Sequence, residues 1–157
     1  MIVQMVGACL LLIAAAAVVI RLRIDEKRYI QSLQCAVRII RHAKRKISLF
    51  GTPTEDILCD FDDSGCAKYL CVRKDVGFHA GVAPVSAALH KQEQALFDHF
   101  AERLGQGYKE DALKLCDFTL SCLEEKTAKA EIEYPSRMKL YTALPILFAV
   151  SLFVLFL

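Results

Sequence analysis

The stretch that decides the fold is Leu113-Lys114-Leu115-Cys116-Asp117-Phe118-Thr119-Leu120-Ser121-Cys122-Leu123, continuing through Glu124-Glu125-Lys126-Thr127-Ala128-Lys129-Ala130-Glu131-Ile132-Glu133-Tyr134. Within it Leu113, Cys116, Leu120, Leu123, Thr127, Ala130 and Tyr134 recur at alternating steps of three and four. Side chains at those steps are neighbours on a helix surface, so they form one seam that packs against another helix. Phe118 and Ile132 fall on the other side and are candidates for a second contact surface, internal or with a partner. Pro135 then interrupts the pattern and predicts a kink, because proline has no amide hydrogen to donate.

Beyond that proline the chain changes character. Leu140 to Leu157 holds only Thr142 and Ser151 as polar residues, and at the opposite end Met1 to Ile20 holds only Gln4. All 20 Lys/Arg and all 18 Asp/Glu lie between Arg21 and Lys139, although the chain is 55% hydrophobic with a mean hydropathy of +0.34. At 1.5 Å per residue the two apolar runs reach about 30 Å and about 27 Å, enough to cross a hydrocarbon core. A cleaved secretory signal fits less well, because no Lys or Arg precedes Arg21. The expected fold class is all-α: a small helical bundle over 21–139, flanked by transmembrane helices at 1–20 and 140–157. Arg21, Arg23, Lys27 and Arg28 follow the first run, and Lys126, Lys129, Arg137 and Lys139 precede the second. By the positive-inside rule the bundle stays cytoplasmic, with both ends of the sequence across the membrane.

Inside the bundle, Tyr29 to Phe50 reads as an amphipathic helix whose inward side is Ile30, Leu33, Val37, Ile40 and Ile47. Its opposite face carries Arg38, His42 and Arg45, which are candidates for contact with anionic lipid or an acidic partner. A formal net charge of +2 gives no reason to invoke nucleic acid. Thr52 and Pro53 suit the cap and first position of a short helix, with Glu55 completing a capping box and Ile57, Leu58 and Phe61 as its buried side. Asp60, Asp62, Ser64 and Gly65 resemble the start of a calcium loop, but Cys71 stands where a bidentate glutamate is required. Tyr69 to Val72 is assigned to a short helix. Pro84 is placed in the first turn of the next helix, whose inward side is Val85, Leu89, Leu96, Phe97, Phe100 and Leu104, with Gly105 as its left-handed cap.

Seven cysteines in an expected reducing compartment read as small apolar residues rather than a disulfide framework, and their spacings do not match a zinc site. No phosphate loop, HExxH helix or nucleophile elbow is present, and Cys71 with His79 is a weak nucleophile pair. The expectation is a non-enzymatic protein with no cofactor and no metal.

The chain resembles the stage III sporulation protein AB family of endospore-forming bacteria. The residues that carry the resemblance are the apolar start, the helix leading to Thr52-Pro53, Leu96-Phe97-Asp98-His99-Phe100-Ala101-Glu102-Arg103-Leu104-Gly105, the long helix, and Lys139-Leu140-Tyr141 before the last apolar run. It departs from the family pattern at Tyr108 and Asp111, at Leu144-Pro145, and in the acidic, Cys-rich stretch from Cys59 to His79. The resemblance implies a bundle similar to the cytoplasmic domains of the type II secretion platform protein. It also implies a scaffold in the membrane apparatus between mother cell and forespore, on the mother-cell side. The implied partners are other stage III sporulation membrane proteins and a cytoplasmic ATPase. Membrane lipids are the partner expected of the basic face, and the small residues Gly7 and Ala14 to Ala17 let helices approach closely within the chain or in a homo-oligomer. The alternative is a self-associating membrane pore or transport subunit. Against it, Gln4, Thr142 and Ser151 are the only polar groups in the two runs.

Overall fold

The computed structural model describes residues 2–50, 56–58, 61, 65, 66, 70–72, 85–87, 89–104 and 108–155. Within these segments the side chains of 2–6, 8, 9, 11, 12, 50, 70–72, 85–87, 149, 152, 153 and 155 lie outside the description. Three helices dominate: α1 (Ile2–Phe50), α2 (Lys91–Arg103) and α3 (Lys109–Leu155). Between α1 and α2 lie two short strands, β1 (Leu70–Val72) and β2 (Val85–Ala87). α1 contains no proline and a single glycine, Gly7, so nothing in its 49 residues breaks the hydrogen-bond ladder. α3 stays helical for 47 residues through both Pro135 and Pro145. Pro135 is therefore not a helix boundary.

Two compact units divide the chain: Arg28–Lys129, and Met1–Lys27 together with Ala130–Leu157. In the first, α1 is buried well beyond one stripe. Leu33, Cys35, Ala36, Val37, Ile39, Ile40, Ala43 and Ile47 are all out of water. Of the expected inward set, only Ile30 remains half-buried. α3 contributes Cys116, Thr119, Leu120 and Leu123, while Leu113 and Thr127 at the margins of the seam are half-buried. Thr119 Oγ1 donates to the Leu115 carbonyl (2.8 Å) and Ser32 Oγ to the Arg28 carbonyl (2.8 Å). These back-bonds let two hydroxyls sit in the core without a lost hydrogen bond. α2 adds Phe97 and Phe100, whose rings are 5.9 Å apart and tilted by 59°.

The connection between α1 and α2 departs from expectation in two places. Leu70–Val72 is a strand rather than a helical turn, paired antiparallel with β2 in the register Leu70↔Ala87, Cys71↔Ser86, Val72↔Val85. A four-residue helix would satisfy almost none of its own backbone groups, whereas pairing with Val85–Ala87 satisfies them across the ladder. Consequently Val85 belongs to β2, and α2 begins at Lys91, with His90 as its extended N-cap (φ −67°, ψ 159°). The carbonyl of His90 accepts from Gln94 N at 2.9 Å. Thr52, Pro53, Pro84 and Gly105 lie outside the described residues, as does most of the acidic stretch. Ile57, Leu58 and Phe61 are buried as expected, but Asp56 to Leu58 form a turn. Leu104 ends α2, fully buried, its amide bonded to the Phe100 carbonyl at 3.0 Å.

The second unit contains both apolar ends. Arg23 donates to Thr142 Oγ1 (2.9 Å), and Arg137 bonds both Glu26 (3.2 Å) and Glu133 (2.6 Å). Leu10, Ile13, Val18 and Ile20 on α1 and Leu144, Leu147, Phe148 and Val154 on α3 stand exposed. Among the described residues, no helix is long and apolar enough to cross a membrane. Parts of both runs, 1–20 and 140–157, lie outside those residues.

Candidate partner interface

The charges of α1 divide into those satisfied within the bundle and those facing outward. Arg41 Nη2 bonds Glu124 Oε1 on α3 at 2.7 Å, Lys44 pairs with Asp117, and Lys109 Nζ reaches back to the Ser48 carbonyl at 2.8 Å. The two ion pairs are roughly half-exposed, so each contributes about 0–1 kcal/mol and fixes register more than it stabilises. His42 turns inward: its Nε2 donates to the Ile57 carbonyl (2.9 Å), and its ring meets Phe61 edge-on at 5.4 Å. That geometry ties the first connection to α1. Arg38 and Arg45 are exposed, leaving them as the outward cations of the predicted trio. A Cβ at Gly65 would stand 3.1 Å from Arg38 Nη1, so glycine there leaves the guanidinium room to lie over the turn.

Phe118 is 58% exposed and Ile132 76%, each in a different compact unit. Phe118 belongs to an open depression of about 580 Å³ between the C-terminal turns of α2 and the first turns of α3. His99 and Arg103 line it from α2, and Asp111, Lys114, Leu115 and Phe118 from α3. No local sequence signal marks this site, because its two halves lie on separate helices.

Sequence reasoning also missed Glu93, which is buried although it occupies the first turn of α2. Burial alone would push its carboxyl up. The hydrogen bond from Lys126 Nζ (2.8 Å), its own backbone amide, and the charges of Lys126 and His90 outweigh that and hold it below the ordinary value. Its other oxygen, Oε2, has no hydrogen-bond partner among the described residues. Beside it, the His90 ring meets that of Tyr29 at a tilt of 46°, with centroids 4.2 Å apart.

Among the described residues no group of three or more His, Cys, Asp and Glu could hold a metal ion. Cys35, Cys66 and Cys116 are buried free thiols. Burial, then the hydrogen bond and charge of Cys66, push Cys35 up to about 12 against the opposing pull of Arg38. Burial and Asp117 push Cys116 up to about 11. Since the thiolate is the nucleophile, both are poor reagents at neutral pH. Alkylation by iodoacetamide at pH 7 in the folded chain is expected to be far slower at Cys35 and Cys116 than in the unfolded chain, as read by mass spectrometry. Equal rates would contradict this burial. The side chain of Cys71 and all of His79 lie outside the described residues.

The family of stage III sporulation protein AB matches residues 80–157, from the β2 region through α2 and the whole of α3. This half of the chain belongs to the stage III sporulation protein AB family. No curated protein and no solved structure matches the chain. The matched segment contains Leu104, Phe118, Ile132 and the whole depression beside Phe118. Arg38, His42 and Arg45 precede it.

Proposed function

We propose that this protein is a membrane-anchored, non-enzymatic scaffold of a sporulation-linked secretion or channel apparatus between mother cell and forespore. Family membership supplies the sporulation context and, with it, other sporulation proteins as partners. The observation that carries the anchor is the charge-free exposure of both helical ends. Leu10, Ile13, Leu147, Phe148 and Val154 are each more than 60% exposed, and no charged residue lies within 1–20 or 140–157. Apolar side chains turned outward over two such runs favour hydrocarbon over water by about 25 cal/mol per Å². In this reading the ends are transmembrane helices of a protein in the cell membrane of an endospore-forming bacterium. The Arg28–Lys129 unit then faces the mother-cell cytoplasm, where it contacts an ATPase. Arg38 and Arg45 sit on its outward basic face, free to meet acidic lipid or protein.

Complementation tests the reading. Removing the protein from its host is expected to abolish heat-resistant spores without affecting vegetative growth. The intact chain restores them, and a chain lacking 140–157 does not. Arg38→Glu with Arg45→Glu is expected to lower spore yield while leaving the protein's level unchanged. Normal sporulation without the protein, or full rescue by the truncated chain, would reject the anchored scaffold.

A further inference from the structure

We propose that the depression between α2 and α3 docks an acidic segment of a partner protein, anchored by one large apolar side chain. The inference deepens the scaffold reading by assigning a chemistry to one of its contacts. Ala112, Leu115 and Phe118 line the depression at steps of three, making an apolar strip on α3 that ends in the exposed Phe118 ring. Around that strip stand Arg103, Lys114 and His99, with Asp111 as the lone carboxylate among the described residues. Among the described residues, these four side chains make no hydrogen bond and no ion pair. That sets them apart from Arg41, Lys44 and Lys126, whose charges are already taken up by Glu124, Asp117 and Glu93.

Uncommitted cations around an apolar floor reproduce the arrangement of a protein contact site, with a desolvated anchor at the centre and a charged rim that selects the partner. Two permanent cations against one carboxylate favour an acidic segment and oppose a basic one. The volume of about 580 Å³ lies within the size range of ligand clefts. The apolar strip lies in a concavity, so a protruding side chain reaches it and a flat lipid surface does not.

The test uses the full-length protein in detergent micelles and two fluorescent synthetic helices, one carrying a Phe/Leu anchor flanked by Glu and Asp, the other the same anchor flanked by Lys. Anisotropy titrations at low salt are expected to show the acidic helix binding and the Lys helix not. Phe118→Ala, and separately Arg103→Glu with Lys114→Glu, should each weaken the acidic helix about tenfold or more. The charge-reversed variant should in turn bind the Lys helix. All three substituted positions are on the surface, so an unchanged thermal melt confirms that the variants are folded. Equal binding of both helices, an unchanged affinity in Phe118→Ala, or binding of anionic vesicles in place of the acidic helix overturns the proposal. Crosslinked capture from sporulating membranes separates the two readings. Partners recovered equally by wild type and Phe118→Ala overturn the docking site and leave the scaffold standing. Tight, Phe118-dependent binding of the acidic helix with no partner recovered keeps the site and removes the scaffold.

Discussion

Phe100→Ala is expected to destabilise the Arg28–Lys129 unit by about 3–5 kcal/mol. The ring is fully buried on α2 and in tilted contact with Phe97, so truncation removes transfer free energy and leaves a cavity that the helices fill only in part. Small domains are stable by about 5–15 kcal/mol in total, so the loss consumes a large share of the margin. Thermal unfolding of the detergent-solubilised chain, followed by circular dichroism, should show a melting temperature lower by about 12 °C or more. Phe118→Ala provides the internal contrast. With most of its surface already in water, it should change stability by within about 0.5 kcal/mol. Equal losses at the two positions would contradict the assignment of one ring to the core and the other to the surface.

The second large effect is expected at Lys126. Its ammonium is the hydrogen-bond partner of Glu93 Oε1, while Oε2 of the same buried carboxylate has none among the described residues. Lys126→Ala leaves that charge without its counter-ion, which costs about 3–5 kcal/mol for a fully buried pair. Lys126 is about a third exposed, so water can enter, and we expect about 2–3 kcal/mol. The double variant Glu93→Leu with Lys126→Met should recover most of the loss, because the desolvation penalty disappears along with the pair. The same pair sets an acid limit on stability. Glu93 has a folded pKa below its ordinary value, so its contribution is fully present above about pH 4.5 and is lost as pH falls through the folded value. Wild-type stability should therefore decline more steeply below that pH than the stability of the double variant, measured by denaturant titration across the range. Parallel curves would show that the pair contributes nothing.

The helices and their buried faces were legible because apolar spacing has a direct physical consequence. Leu33, Val37, Ile40 and Ile47 recur at helical steps and are buried on α1, as are Cys116, Leu120 and Leu123 on α3. The β1–β2 pair was not legible. Three-residue strands carry too little pattern to separate from a turn, and the pairing joins segments whose proximity no local signal reports. Glu93 was missed for a related reason. A glutamate in a first helical turn normally faces water, and its ammonium partner lies 33 residues away on another helix. The missing amide hydrogen of Pro135 predicts a kink, and α3 stays helical through it, with Arg137 bonded to Glu133 across the same turn. Of the candidate contact residues, spacing alone put Arg38, His42 and Arg45 on one face. It did not reveal that Ile57 and Phe61 would come up against His42 and draw it into the bundle.

Partner capture by the intact chain tests the central claim most directly. With a crosslinker applied to membranes from sporulating and growing cells, the account predicts recovery of other stage III sporulation proteins and an ATPase from sporulating membranes only. Abundant protein in growing cells, with neither partner recovered after sporulation begins, would contradict it.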